Sequence, residues 1–366
     1  GDLEFFFDPE EPDCYLLKGI ENETLRLILA ETRLKGSEEL TEVTVKEALK
    51  KGYIKAEWQA TFMAYAKKLL IDLGIPAEKQ RFIEKHPWER AHYSLQTFDQ
   101  EILVERWGWV EVTAYAYRTD YDLKQHTKFS GQDMYIFKEY EKPVEKEQSI
   151  IKPIMAKMGP AFKKEATKVA ELLSNTDPKE VEASLKKDGR FMLGKYKILP
   201  EHVDIKHETI MERGKRFIPH VVEPTFGLDR LFYAVFEYAY RAKDDRTLLS
   251  FPRDIAPIQA GVYPLVSKDG LPEKALLLHK MLVDEGFVVE YDEAGSIGRR
   301  YARTDEIGIP LGITVDYETL SDNTVTIRDR DSWKQVRTLI EDLPELLHKY
   351  FRGKINFEDL GKPFES

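Results

Sequence analysis

Apolar spacing changes repeatedly along the chain, and each change predicts an element. Leu3-Glu4-Phe5-Phe6-Phe7 reads as a strand, which Asp8-Pro9-Glu10-Glu11-Pro12 ends because two prolines cannot continue a ladder. Thr44 is placed to cap a helix running through Lys50. Trp58, Phe62, Tyr65, Leu69 and Leu73 follow at steps of three and four and predict one helix face, stopped by Gly74 and Pro76. Segment 91–123 has strand composition, with Ile102-Leu103-Val104, Gly108 to Val112, and alternating Tyr115 and Tyr117. Residues 124–217 turn rich in Lys and Glu, with helices expected over 161–173 and 178–187 and a hairpin near 191–198; they read as an inserted subdomain. Ile218 to Phe226 is a strand, Gly227 a turn, and Leu231 to Tyr240 a helix rich in aromatics. Beyond Ser250 the strands 260–265, 287–291, 313–317 and 324–328 alternate with helical stretches 273–285 and 333–348. That alternation predicts an α/β module over 247–366. The expected order is a first core segment, 1–123, with its helical stretch 41–75, the insertion 124–217, a return segment 218–246, and the module 247–366. There is no internal repeat.

Composition narrows the function classes. The chain has 366 residues, enough for two or three domains, with 42% apolar and 33% charged positions in a globular balance. A net charge of −10, from 55 Lys+Arg against 65 Asp+Glu, argues against sequence-blind coating of nucleic acid. Binding through a local arginine patch stays open. Cys14 is the one cysteine, which excludes an intrachain disulfide and any Cys-pair zinc site and suggests a reducing compartment. The eight histidines include no zincin-like pair with an intervening glutamate. Without an apolar run of eighteen residues, no membrane partner is expected and the location expected is cytoplasmic. The chain opens on Gly1, not Met, so further residues are expected to precede it.

Three constellations could carry chemistry. In Glu223-Pro224-Thr225-Phe226-Gly227-Leu228-Asp229-Arg230 a glutamate leaves a strand, a glycine allows close approach, and an arginine opens a helix whose N-terminal end favours a phosphate-like anion. The same residues would equally serve as a turn and a surface salt bridge. In Trp107 to Leu123, Glu111 and Arg118 lie seven apart and so face opposite sides of an unbroken strand. A bend or bulge would be needed to unite them; otherwise each is an exposed charge. In Gly295 to Glu306, Arg299, Arg300, Tyr301 and Arg303 follow two glycines, a composition that grips phosphates and stacks on unpaired bases. A helix start with solvated arginines has the same composition. Arg328-Asp329-Arg330-Asp331 reads as a self-neutralising strand end.

Taken in order, these segments resemble glycyl-tRNA synthetase of the archaeal and eukaryotic dimeric kind, a class II aminoacyl-tRNA synthetase. Glu223 to Arg230 is similar to motif 3, and Gly295 to Gly308 to the signature of the family's anticodon-binding domain. Glu89-Arg90-Ala91-His92-Tyr93 and the pair Gly108 to Glu111 and Arg118 to Leu123 add two more blocks, so the likeness spans nearly the whole chain. The resemblance implies an α+β catalytic core, an antiparallel sheet with helices interrupted by an insertion, and then an α/β anticodon-binding domain. It implies activation of glycine with ATP and Mg²⁺, followed by transfer to tRNA(Gly).

On the family pattern Arg230 holds the γ-phosphate, and Glu4 and Glu223 bind the glycine ammonium. Thr225 stands where relatives often have Ser, Arg118 and Glu111 line the same cleft, and Gly227 admits the nucleotide. Glu111 is the candidate Mg²⁺ ligand, and Arg299, Arg300, Tyr301 and Arg303 would contact tRNA. The pattern also places motif 1, for dimerisation, and most of motif 2, with its α-phosphate arginine, before Leu3. A lone copy is therefore expected to be impaired, and a homodimer or a chain supplying motifs 1 and 2 is the expected partner. Ala114 replaces a family glycine, and Tyr117 stands where an acid is frequent. The rival function is a synthetase-like RNA-binding or accessory subunit without catalysis.

Overall fold

The computed structural model describes residues 1–364. It divides into two compact units, Gly1–Gln125 with Pro219–Ser366, and His126–Ile218.

In the first unit the chain runs through β1 (Phe5–Phe7), β2 (Thr24–Ile28), α1 (Ala30–Leu34), β3 (Thr41–Thr44), α2 (Val45–Lys50), α3 (Glu57–Asp72), β4 (Gln80–Glu84), β5 (Gln96–Val104), β6 (Gly108–Thr119) and α4 (Tyr121–Ser130). Thr44 does cap α2: its hydroxyl accepts from the Glu47 amide at 3.2 Å while Glu47 reaches back to the Thr44 amide at 3.1 Å. The predicted apolar face of α3 is only partly the buried one. Trp58 is buried, but Tyr65 and Leu69 are exposed, and Ala60, Met63, Ala64 and Leu70 are fully enclosed. Small side chains let the helix lie close on the sheet. Gln59, also fully buried, donates from its amide to the carbonyls of Tyr115 and Gln96 at 3.0 and 3.3 Å, an anchorage that hydrophobic spacing does not register.

The second unit is built on two long antiparallel strands, β7 (Ile136–Pro153) and β10 (Val203–Phe217). Between them in sequence lie α5 (Met155–Phe162), α6 (Ala166–Ser174), α7 (Pro178–Asp188) and the hairpin β8 (Phe191–Leu193) with β9 (Tyr196–Ile198). Its core includes Met158, Val169, Leu173, Val181 and Ile198, all fully buried.

Back in the first unit, β11 (His220–Phe226) inserts between β1 and β6, completing a seven-stranded sheet in the order β1-β11-β6-β5-β4-β2-β3. Every pairing is antiparallel except β2 with β4. This is the mainly antiparallel sheet that the resemblance implies. α8 (Leu228–Ala239) and α3 cover one face through Leu70, Val112, Leu231 and Ala234. The hairpin β12 (Tyr240–Lys243) with β13 (Arg246–Leu249) then leads to the C-terminal module.

That module comprises β14 (Ala260–Pro264), α9 (Leu271–Asp284), β15 (Val289–Tyr291), α10 (Ile297–Ile307), β16 (Leu311–Val315), α11 (Tyr317–Asp322), β17 (Thr324–Asp329), β18 (Gln335–Leu339), α12 (Leu343–Phe351) and β19 (Lys362–Phe364). Its sheet order is β15-β14-β16-β17-β18-β19. The helix expected over 333–348 is a correction: β18 occupies its first part, because Val336 and Thr338 point inward with alternating neighbours outside. Charge also ties module to hairpin. Asp305, fully buried, takes both Arg328 nitrogens at 2.8 and 3.0 Å and lies 3.6 Å from Arg246 of β13. Arg328-Asp329-Arg330-Asp331 is thus partly interior, since Arg330 also donates to the carbonyls of Gly308 and Phe251, each at 2.8 Å.

Candidate active site

Whether Glu111 and Arg118 share a face is decided by strand register. Gln100 lies opposite Thr113 but Glu101 lies opposite Glu111, so Val112 is an extra residue and β6 is bulged there. The bulge resets the alternation and brings Glu111 to the face of Ala114, Ala116 and Arg118. A second shift, between Val221 opposite Thr119 and Val222 opposite Tyr117, sets Arg118 itself in a bulge. On the same face β11 presents Glu223 opposite Ala116 and Thr225 opposite Ala114. The β1 register places Glu4 beside Glu223, and β5 presents Thr97 opposite Ala116 and Asp99 opposite Ala114. Two alanines therefore form a low floor between a β1/β11 wall and a β5 wall.

The guanidinium of Arg118 organises the first wall. Its Nη1 lies 3.0 Å from Glu223 and 3.2 Å from Glu4, and its Nη2 lies 2.7 Å from Asp122. The Tyr93 ring supports it from 4.3 Å. Burial alone would lower the Arg118 pKa, but its Asp122 hydrogen bond and the charges of Glu223, Asp122 and Glu4 together hold it above the usual value. On the opposite wall Lys85 Nζ lies 3.0 Å from Asp99. Burial pushes the Asp99 carboxyl up to about 6, helped by the charges of Glu111 and Glu101 and opposed by Lys85. Its Oδ1 is buried with no hydrogen-bond partner among the described residues. Asp99 and Lys85 were not anticipated from sequence, although Thr97, Asp99 and Glu101 alternate on one face and could have been noticed.

At the other end, β11 stops at Phe226 and leaves the β6 edge open. The Gly227 amide donates to the Val112 carbonyl at 2.8 Å, and a Cβ on Gly227 would sit 3.3 Å from that oxygen. Its N–H is thus engaged in the strand-to-helix corner, so what Gly227 offers a nucleotide is space and not a donor. Arg230 Nη1 donates to the Glu111 carbonyl at 2.8 Å and lies 3.8 Å from its carboxylate, yet its side chain remains 56% exposed. Along the strand, the Arg230 end and the Glu223 end are roughly 15 Å apart, at about 3.3 Å per residue. No group of three or more His, Cys, Asp or Glu among the described residues is placed to hold a metal ion. Glu111 offers carboxylate oxygens to a hard cation, which would need nucleotide phosphates to complete its shell, whereas its cross-strand neighbour Glu101 is held by Arg81 at 2.8 Å.

The arginines of α10 divide sharply. Arg299 is exposed and makes no side-chain hydrogen bond or ion pair among the described residues. Arg300 is a correction. It is 1% exposed and donates to the carbonyls of Pro264, Glu293 and Gly295, so its guanidinium holds the loop before α10 and is not free to grip RNA. Tyr301 is the second correction: it is partly buried, its hydroxyl pairs with Thr314 at 2.5 Å, and its ring packs edge-on to Tyr263 and beneath Arg328. Arg328 occupies one face of the ring, where a base would otherwise stack. Arg303 is half-exposed but paired with Asp292.

Comparison with known proteins bears on the chain as a whole. Residues 259–350 match the family described as anticodon binding domain. The chain is 42% identical over 99% of its length to a glycine–tRNA ligase of Aeropyrum pernix, 39% over 95% to one of Methanothermobacter thermautotrophicus, and 42% over 96% to one of Pyrococcus horikoshii. It spans 62% of the length of each of these curated relatives. Over nearly all of its own length, then, the chain is similar to part of the glycine–tRNA ligases, and its residues 259–350 match an anticodon-binding domain.

Proposed function

We propose that this chain carries the glycine-binding face, the polyphosphate arginine and the anticodon-binding domain of a glycine–tRNA ligase. The observation that supports this best is the sheet face itself: Glu4 and Glu223 around Arg118 at one end, an alanine floor, and Arg230 at the other. In this reading Glu4 and Glu223 receive the ammonium of glycine, with the Thr225 hydroxyl beside them, and Arg118 fixes both carboxylates. The glycine carboxylate oxygen attacks the α-phosphorus of ATP, the bond to the β-phosphate oxygen breaks, and pyrophosphate leaves. A terminal tRNA hydroxyl then attacks the glycyl carbonyl carbon, loses its proton, and AMP departs. Arg230 holds the leaving polyphosphate, and most of the rate gain comes from positioning and charge compensation. Mg²⁺ held by ATP, with Glu111 as its protein contact, would neutralise phosphate charge.

Selectivity for glycine follows from space. A site cannot recognise a side chain that glycine lacks, so crowded carboxylates and Arg118 above a shallow floor reject larger amino acids. Partners in this proposal are tRNA(Gly), ATP and glycine, with a second copy or a chain supplying motifs 1 and 2; the compartment is the cytoplasm. No helix among the described residues is long and apolar enough to cross a membrane.

The test is glycine-dependent ATP–pyrophosphate exchange by the chain alone and together with a fragment supplying motifs 1 and 2. Absence of exchange in the reconstituted pair would refute the proposal. A second reading, an RNA-binding accessory subunit, is favoured by one observation: Arg118 already satisfies Glu4 and Glu223. That subunit would keep its tRNA affinity and biological role in Arg230→Ala, whereas the enzyme would lose glycine activation.

A further inference from the structure

The joint between the hairpin β12–β13 and the C-terminal module contains a polar cavity of about 350 Å³, lined by Arg241, Arg253, Arg330, Asp331 and Tyr350 among others. Arg330 is saturated inside the protein, by Asp331 and by the carbonyls of Gly308 and Phe251. The other two arginines are not. Arg241 uses only Nη1, on the carbonyls of Tyr238 and Tyr240, and Arg253 uses Nη1 on the Ile355 carbonyl at 3.1 Å while lying 4.5 Å over the Tyr350 ring. Each keeps donors to spare.

Arg253 is also the point where this cavity meets a basic run. Residues 348–354, His-Lys-Tyr-Phe-Arg-Gly-Lys, end α12 and contain no acid. Arg352 and Lys354 are exposed and have no side-chain hydrogen bond or ion pair among the described residues. Arg253 lies against the same turn, its Nη2 3.4 Å from where a Cβ on Gly353 would stand. The result is a positive strip, Arg241, Arg253, Arg352 and Lys354, on a chain of net charge −10. Cations that keep donors to spare concentrate potential locally in such a chain.

We infer that this strip is a docking surface for the phosphate backbone of the tRNA, at the joint between the body bearing the glycine face and the anticodon-binding domain. Arg241 and Arg253 line the cavity beside Asp331, while Arg352 and Lys354 line a second hollow with Glu285 and Glu345, so the cations are spread over the surface and do not converge on one pocket. That suits a chain of phosphates better than a single anion. The Tyr350 ring is covered by Arg253 and cannot stack on a base, so the contact should be sequence-blind and salt-dependent. This inference rests on the proposed tRNA partner but assigns a surface distinct from α10.

The test is direct binding of a tRNA(Gly) transcript to the chain, measured by fluorescence anisotropy across a KCl series. The double variants R241Q/R253Q and R352Q/K354Q are compared with K280Q, an exposed charge on α9, as control. Each double variant is expected to weaken binding about tenfold and to lower the salt slope by about two, while K280Q changes neither substantially. Arg352 and Lys354 are exposed, so that pair remains informative if removing Arg253 from Tyr350 harms folding. Unchanged affinity and slope in both double variants overturn this inference while leaving the tRNA partner intact. Failure of the unaltered chain to bind the transcript at all overturns both, and equally tight binding of poly-glutamate would show an acidic-protein surface instead.

Discussion

The Arg118 guanidinium stands 3.0 Å from the Glu223 carboxylate, across two strands that meet only in the folded sheet. Glu4 and Asp122 crowd the same cation. Arg118→Ala would leave three carboxylates facing one another with no counter-charge. Removing one partner of a largely buried ionic cluster costs about 3 kcal/mol, less where a carboxyl takes up a proton. Urea unfolding at pH 7.5 should show a clearly lowered midpoint, and glycine activation in the reconstituted enzyme should fall with it. A midpoint equal to that of the unaltered chain would mean the cluster is not held as described.

Asp99 sets a pH dependence of unusual sign. Its folded pKa, about 6, lies above the ordinary 3.8, so the folded state takes up a proton more readily than the unfolded one. The stability this adds is fully present below about pH 4 and is lost as pH rises through 6. Comparing urea midpoints of the unaltered chain and Asp99→Asn, the unaltered chain should gain on the variant as pH falls from 7.5 to 5. A gap that stays constant over that range would contradict the placement of Asp99 in a dry, acid-rich site.

Arg299 and Arg300 are adjacent in sequence and should behave oppositely. Arg300→Ala removes a buried guanidinium and strands three carbonyls, an expected loss of about 3–5 kcal/mol seen in thermal or urea unfolding. Arg299→Ala should stay within about 0.5 kcal/mol of the unaltered chain and act, if tRNA touches α10, on RNA affinity alone. Equal stability of the two variants would refute the burial assignment.

Arg230 is more than half exposed, with its one short contact to a backbone carbonyl, so Arg230→Gln should fold normally. In the reconstituted enzyme it should lower glycine-dependent pyrophosphate exchange about a hundredfold or more, the scale for losing one charge-stabilising donor. Circular dichroism and tRNA binding should be unchanged. Exchange retained at the original rate would remove Arg230 from the reaction.

Much of this molecule was legible in its residues. The Thr44 capping box, the break at Pro9 and Pro12, the Gly227 corner into α8 and the alternation of strands and helices after Ser250 all rest on local rules of backbone conformation and period. The grouping of Glu4, Glu223 and Arg118 came instead from the family resemblance, which no local rule supplies. What stayed hidden depended on partners distant in sequence. The Val112 bulge exists only against β5, and it alone decides that Glu111 and Arg118 share a face. The positions of Tyr65 and Leu69 in α3 have the right spacing for burial, yet the sheet packs against the alanines instead. Arg300 and Tyr301 have the composition of an RNA contact, but the loop after β15 and the sheet behind α10 enclose them. Period and charge are properties of neighbours along the chain, whereas register and burial belong to surfaces that meet only when the fold closes.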